Sequence, residues 1–504
     1  MSAEPADARP DGHESRAELS DLPRDIFWML LSYLDPWDIV RCRRVSRSWN
    51  DAFRNPDNLV AVVKRFFPRA KEVRNLQGEG GLDPDWRAIF DRLACRYYHL
   101  ARAKPRTIKK YRLCHPYGTS GDREWFPVQP WEYHASHACQ RVDEPLPEGF
   151  WTYEDGLVVY PSADHRCLVL LDLETDQKTI VPFLTAGKVV RRVRLQQKVL
   201  VVEWAEPKAF HWLNDVDGVH RHFASSFDVV RGSSGWKIVF RNEWKIMFLG
   251  HPLSERDRFF SSHSKTHYII YIWQPNRSLY TADEDAPIES LFVWDISQPS
   301  SYRPSLDPTG RLKEEEKTDG PSIISRFGFR ELGFYSVRQR GLPGVQRLDI
   351  TDDALHVEIT ENICDSPVDY SIWPAGLTSQ VHTTSIPILG EGPCWRRDPG
   401  VKFPPYRGSG SLQTSPLTAN ETAQRWYTVV SQAVDDEAGV RFCLYNPRAP
   451  WQDDLDLTLS IETPFSTIIL QQALKIFPFG KISGSERFLV GQGADNELLI
   501  LRFD

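Results

Sequence analysis

The residue types best suited to holding a metal lie in His134-x-x-His137-x-Cys139, and His263 and His267 form a second histidine pair. A zinc site needs about four ligands at compatible spacing. No second pair lies near the first group, and the stretch between His263 and His267 reads as a surface turn leading into a strand. Acid–base chemistry on a sugar would need two carboxyl groups facing each other across a cleft. Asp283-Glu284-Asp285 and Asp435-Asp436-Glu437 are instead adjacent acids among turn formers, the pattern of a solvated loop. Gly491-x-Gly493 lacks the remaining glycine and the following helix of a dinucleotide site, and Lys481-Ile482-Ser483-Gly484-Ser485 lacks the residue order of a P-loop. No Gly-x-Ser-x-Gly nucleophile elbow occurs. The expectation is therefore a non-catalytic protein without metal or cofactor.

Composition bounds the elements that would carry a binding surface. At 504 residues the chain is too long for one ordinary core, so a small domain beside a large one is expected. The net charge of −7 gives no general attraction for nucleic acid or an anionic membrane. The load of 17 Trp, 17 Tyr and 26 Phe favours strands. The cysteines at 42, 95, 114, 139, 167, 364, 394 and 443 contain no Cys-x-x-Cys pair, as for free thiols in a reducing compartment. The opening residues 1–18 are polar and carry no basic-then-apolar signal. They read as a disordered tail. The longest apolar runs, such as Tyr268 to Trp273, are of strand length and fall short of the roughly 20 residues that span a bilayer. A cytoplasmic or nuclear location follows as the expectation.

Helical signals crowd residues 19–67. Asp21-Leu22-Pro23 opens a first helix, with an acceptor before it and proline in its first turn. Ile26, Leu30 and Leu34, with Phe27 and Leu31 alongside, make one wide apolar face. Asp35-Pro36 stops that helix and starts another bearing Ile39 and Val40, and Ser46 can cap a third bearing Trp49 and Phe53. The amphipathic run Leu59-Val62-Val63-Phe66-Phe67 follows. Three short helices in about fifty residues make a marginal core, with more apolar surface than such a unit needs for itself.

The run from Leu19 to Phe53 resembles the F-box. Its landmarks are Leu22-Pro23, Ile26, Leu30, the Tyr33-Leu34-Asp35-Pro36 junction, Asp38, and Val45-Ser46-x-x-Trp49. The resemblance implies binding to a Skp-family adaptor, and through it to cullin and RING subunits of an SCF-type ubiquitin ligase. Carried over by position, Leu22, Pro23, Ile26, Leu30, Leu34, Val45 and Trp49 face the adaptor or brace the face that does. Trp28 and Trp37 are bulkier than the family pattern and are placed on the outer surface. Arg41, Arg43, Arg44 and Arg47 read as a solvated helix face or as complementary charge to an acidic adaptor.

Residues 68–124 read as a helical connector. Asp85 caps a helix carrying Trp86, Ile89, Phe90, Leu93, Tyr97 and Leu100, and Lys104-Pro105 breaks it. The basic stretch Lys104 to Arg112 reads as solvated linker. From 125 to 504 the pattern turns to short β-rich runs between Gly, Pro, Asp, Asn and Ser clusters, among them Leu157–Tyr160, Cys167–Leu173, Val199–Trp204, Phe334–Val337 and Leu498–Phe503. Val169-Leu170-Leu171-Asp172-Leu173 and Phe292-Val293-Trp294-Asp295-Ile296 share a strand-then-Asp ending, with Arg347-Leu348-Asp349-Ile350 a fainter copy. That ending resembles the blades of WD-type propellers, of which this length would hold about six to eight. The expected architecture is α+β and multidomain: an all-α F-box module and connector, then an all-β propeller whose last strand closes against one near 125–151. The competing folds are a pair of β-sandwiches and a leucine-rich repeat, the latter without the Leu-x-x-Leu-x-Leu spacing or alternating helices that it requires. Val293 to Pro299 with Tyr302-Arg303-Pro304 also resembles a stretch of F-box proteins abundant in filamentous fungi. The implied function is client reception for a ligase, with the client unknown. A glycoside-acting propeller enzyme, whose F-box would serve its own turnover, is the alternative.

Overall fold

The computed structural model describes residues 23–76, 84–114, 150–212, 218–246, 253, 259–274, 287–307, 320–339, 345–363, 380–389, 395–397, 426–448, 458–463, 466–470, 482–493 and 496–504. His134, His137, Cys139, Asp283 to Asp285 and the disordered tail of the sequence reading lie outside them. The chain divides into two compact units. One comprises residues 1–106 with 436–439 and 503–504, and the other comprises 107–435 with 440–502. No helix among the described residues is long and apolar enough to cross a membrane.

The first unit is helical: α1 (Arg24–Leu31), α2 (Pro36–Cys42), α3 (Arg47–Arg54), α4 (Pro56–Phe66), α5 (Lys71–Leu76) and α6 (Trp86–Leu100). Three of the expected caps form, whereas Asp21 lies outside the described residues and α1 follows Pro23 without a side-chain cap. Asp35 accepts from Asp38 N at 2.7 Å, Ser46 from Trp49 N at 3.2 Å, and Asp85 from Arg87 and Ala88 N at 3.1 and 3.2 Å. Each removes orphan amides from a helix start, a contribution of about 1 kcal/mol. One core runs through the unit, joining Phe27, Leu31, Ile39, Phe53, Leu59 and Val63 to Ile89, Phe90 and Leu93 of α6. The connector helix is thus part of the small module's own core and supplies the area that three short helices lack. Arg96 of α6 is fully buried and grips Glu72 of α5 at 2.5 and 3.1 Å. A desolvated guanidinium held by two hydrogen bonds fixes the register of these helices.

The second unit consists of antiparallel sheets of four strands. Sheet 1 is β2 (Thr152–Glu154), β3 (Leu157–Ser162), β4 (Cys167–Asp172) and β5 (Lys178–Ile180). Sheet 2 is β6 (Val189–Gln196), β7 (Val199–Ala205), β10 (His222–Gly232) and β11 (Gly235–Lys245), with a small hairpin β8 (His211–Trp212) and β9 (Gly218–Val219) between its middle strands. Sheet 3 is β12 (Phe259–His263), β13 (His267–Gln274), β14 (Ile288–Asp295) and β15 (Ser322–Phe327), and the helix α7 (Phe329–Phe334) follows it. Sheet 4 is β16 (Val345–Ile350), β17 (His356–Ile363), β18 (Gln380–Pro387) and β19 (Trp395–Arg397). Sheet 5 is β20 (Trp426–Asp435), β21 (Val440–Arg448), β22 (Thr458–Thr463) and β23 (Ser466–Leu470). Sheet 6 is β24 (Ile482–Gly484), β25 (Phe488–Gln492) and β26 (Glu497–Arg502), completed by β1 (Thr107–Arg112) from the other end of the unit.

Alternate side chains of one strand reach two different neighbours. In β3 and β4, Leu157, Val159, Leu168 and Leu170 pack with sheet 2. Val158, Tyr160, Val169 and Leu171 pack instead with Val490, Leu498 and Ile500 of sheet 6. In β13, Tyr268 and Ile270 face sheet 2, whereas Ile269 and Tyr271 face sheet 4. The first strands of neighbouring sheets meet: β2 touches β6 and β24, β12 touches β16, and β20 touches β24.

Four local expectations are revised. The basic stretch read as linker is β1, with Lys110 paired to Glu497 at 3.1 Å and Lys109 paired to Asp176. It is β1, and not a strand near 125–151, that closes on β26. Phe334–Val337, read as a strand, is the end of α7 and a turn, where Ser336 takes a φ of 58°. His263, expected at the surface, is buried and bonds the Val199 carbonyl through Nε2 at 2.9 Å.

Burial pulls the His263 imidazole down to about 3. Burial, with the Arg191 guanidinium 3.0 Å from its Nε2, does the same to His222. Both rings are neutral in folded and unfolded chains above pH 6.5. Below it the unfolded chain takes up protons that the folded chain refuses until about pH 3. Stability therefore falls on acidification through that window, by up to about 1.4 kcal/mol per histidine per pH unit. Replacing His222 and His263 by glutamine should flatten the slope of unfolding free energy between pH 6.5 and 5 in urea titrations. An unchanged slope would exclude these groups as its source.

Candidate functional site

Helix α1 has two apolar stripes with different fates. Phe27 and Leu31 point into the core. Ile26 and Leu30 are 42% and 41% exposed, and Met29 and Tyr33 lie open beside them. Val45, after α2, is 62% exposed. Leu34 and Trp49 are half-buried and brace the core from its edge. Of the residues expected to carry the binding face, Pro23, Ile26, Leu30 and Val45 are therefore open, Leu34 and Trp49 are supports, and Leu22 lies outside the described residues. Met29 and Tyr33 went unmarked in the sequence, although steps of three and four from Ile26 and Met29 put them on the same face.

The bulky tryptophan and one arginine turn out to be internal fittings. Trp37 stacks on Tyr98 of α6 with ring centroids 4.0 Å apart, and Arg102 lies 3.7 Å over the Tyr98 ring. Arg41 lies over the Trp37 ring at 5.5 Å. This cation–aromatic stack ties α2 to α6. Arg43, read with its neighbours as a solvated or adaptor-facing charge, is buried. It pairs with Asp91 and lies 4.6 Å over the Phe90 ring. Arg41, Arg44 and Arg47 remain exposed.

In the strand-rich unit, a cavity of about 400 Å³ opens among the first strands of sheets 1, 2, 3 and 4. Its polar wall includes Glu154 of β2, Arg194 of β6, Ser261 of β12, and Arg347 and Asp349 of β16. Glu154 accepts the amides of Gln197 and Lys198. Arg194 donates to the Ser261 carbonyl, and Arg347 pairs with Asp349. Behind the wall, Glu203 holds Ser261 Oγ at 2.5 Å and Tyr268 Oη at 2.9 Å, while Arg192 donates to the same serine. Burial, the largest effect, raises the Asp349 carboxyl above its ordinary value against the pull of Arg347 and Arg194, and Glu358 adds a smaller push upward. No cluster of three or more metal-ligating residues occurs among the described residues.

Residues 19–60 match the F-box domain. The chain thus carries an F-box followed by a large strand-rich region. No curated protein matches the chain. Among solved structures it resembles a chain of a mitotic checkpoint complex, at 8% identity over 80% of this chain and 96% of that one, with a TM-score of 0.36. It also resembles a hydrazine synthase chain from Kuenenia stuttgartiensis, at 9% identity over 70% and 82%, with a TM-score of 0.26. An α-L-arabinofuranosidase from Lactobacillus brevis matches at 9% identity over 64% and 89%, with a TM-score of 0.23. At such scores none of these likenesses bears on activity.

The two stripes of α1 predict opposite sensitivities. Trp37→Ala should lower the stability of the helical unit by about 1–3 kcal/mol, since it empties a half-buried stacking site. Ile26→Ala and Leu30→Ala should each cost less than about 1 kcal/mol. Urea unfolding of the full chain, followed by far-ultraviolet circular dichroism, checks both. Equal losses would place the open stripe in the core.

Proposed function

We propose that the chain is the client-recognition subunit of an SCF-type ubiquitin ligase, working in the cytoplasm or nucleus. The F-box domain at 19–60 carries this reading, because F-box domains bind Skp-family adaptors. Ile26, Leu30 and Val45, with Met29 and Tyr33, are the apolar anchors of that contact. A few large, open apolar side chains on rigid helices are what a hot spot requires, since they lose water on binding without reordering the chain. Arg41, Arg44 and Arg47 at the rim raise the association rate with an acidic adaptor.

The strand-rich unit is read as a six-bladed propeller that holds the client. The reading is supported by five four-stranded meanders and a sixth sheet completed by β1 among the described residues, and by the meeting of their first strands. Such a subunit supplies no reactive group. It accelerates ubiquitin transfer by holding client lysines near the charged enzyme, which raises their effective concentration. The carboxylates in the cavity wall are already engaged, Glu154 by backbone amides and Asp349 by Arg347, which does not favour a glycoside-acting alternative.

Co-expression with a Skp-family adaptor, affinity capture and gel filtration test the proposal. A one-to-one complex is expected. Ile26→Asp and Leu30→Asp should each abolish capture while the circular dichroism of the protein is retained, as should Leu22→Ala combined with Pro23→Ala. A folded protein that captures no adaptor overturns the receptor reading.

A further inference from the structure

The helical unit is not built from the first hundred residues alone. Residues 436–439, at the turn between β20 and β21, belong to it, as do Phe503 and Asp504, which follow β26. Residues beyond the last strand of a sheet fray unless something holds them, yet Phe503 is fully buried and Asp504 is buried beside it. The Arg96 guanidinium, which grips Glu72 of α5, lies 3.8 Å from Asp504 Oδ2 through Nη2. Arg74 of α5 pairs with Glu437. Two arginines on adjacent helices thus each meet a carboxylate from far along the sequence. The Asp504 side chain is only 5% exposed, and a carboxylate so buried has to be answered by a cation or a proton. Arg96 answers it and ties its place to α6.

Both contacts fall on the helices that support the open stripe of α1. Ala94 and Leu93 of α6 and Val73 of α5 lie in the core that claims Phe27 and Leu31. Opening α5 and α6 therefore withdraws the support behind Ile26 and Leu30. We propose that the far end of the chain is a latch on the F-box module. Phe503 and Asp504, with the 436–439 turn, hold α5 and α6 closed, so the stripe keeps one geometry only in a chain whose strand-rich unit is complete. The consequence for adaptor binding rests on the receptor reading, whereas the latch itself does not. The order of synthesis gives it a use. The helices are made first and Phe503 and Asp504 only after every strand, so a partly made or shortened chain carries the F-box without its closing contacts. Apparent affinity falls with the fraction of molecules in the competent state. A receptor that cannot yet hold a client is thereby kept off the ligase.

Hydrogen exchange read by mass spectrometry tests the latch on the full chain, on a chain ended after Arg502 and on Asp504→Asn. The shortened chain should exchange the α5 and α6 amides at least tenfold faster, with β3, β4 and β7 unchanged. Asp504→Asn should act in the same direction more weakly, and Asp504→Glu, which keeps the charge, should retain most of the protection. A merely local role would fray β26 and β1 and leave α5 and α6 as they were. In the co-expression assay the shortened chain should capture at least threefold less Skp-family adaptor. Should it also lose protection in β3, β4 and β7, Asp504→Asn decides in its place. The proposal is overturned if α5 and α6 of the deciding variant exchange at the rate of the unaltered chain, or if that variant, folded, captures adaptor as fully. A full chain that captures none overturns instead the receptor reading, and with it the consequence for adaptor binding.

Discussion

Burial of sheets 1, 2 and 3 on both faces is the constraint from which the large unit follows. A four-stranded sheet whose alternate side chains are all apolar cannot leave either face in water. In β3 and in β7 every residue is buried. Such a sheet needs a neighbour on each side, and the clusters that run from sheet 6 through sheets 1, 2, 3 and 4 supply them in succession. The same requirement explains β1. Without it β26 would present an open edge, since sheet 6 draws only three strands from the end of its unit. Asn496 strengthens that pairing by donating through Nδ2 to the carbonyls of Leu113 and Cys114 at 3.0 and 3.1 Å.

Burial on both faces also dictates what polar residues can do there. A charge near a first strand must find a partner or change its protonation. Arg192 is answered by Glu203 and Ser261, and Glu289 by the Tyr271 hydroxyl and the Gln339 amide, while His222 and His263 stay neutral. Elsewhere the strand-then-Asp ending has a local cause. Asp172 turns the chain by accepting the Glu174 amide and reaches across to the Trp236 indole, and Asp295 accepts the Ser297 amide. Both end the third strand of their sheets. Asp349 lies on the first strand of sheet 4, so the fainter copy shares letters with them but not position. The segment after Asp295 lies along β11: Asn242 donates to the Ile296 and Gln298 carbonyls, and Ser300 donates to the Arg241 carbonyl. The stretch that resembled fungal F-box proteins therefore covers a strand edge and is structural here.

Helix starts and apolar strands were legible in the sequence because each depends on neighbours in the chain. Asp35-Pro36, Ser46 and Asp85 carry their own capping chemistry, and runs such as Leu157–Tyr160 declare burial by composition. What escaped depended on distant partners. The lysines of β1 look like solvated linker until Glu497 and Asp176 appear opposite them. Strand β10 reads as polar, yet Ser225 and Ser226 are buried because Glu243 and Asn242 on β11 satisfy their hydroxyls. The cavity could not be foreseen either, since its wall is assembled from strands far apart in sequence.

The same distinction separates the two roles within α1. Leu31 and Leu30 are identical in type and adjacent in sequence, and helical periodicity places both near one apolar face. Only the position of α4 and α6 decides between them, because the core that these helices complete claims Phe27 and Leu31 and leaves Ile26 and Leu30 outside. A connector that merely spaced two domains would have left both stripes uncovered. By closing the module's core, α6 converts a marginal three-helix unit into a rigid one, and the Trp37–Tyr98 stack and the Arg43–Asp91 pair fix its angle to α2. The open stripe is then held in one geometry before any partner arrives. Preorganisation of that kind reduces the entropy lost on binding, so a small apolar face can bind firmly with little area.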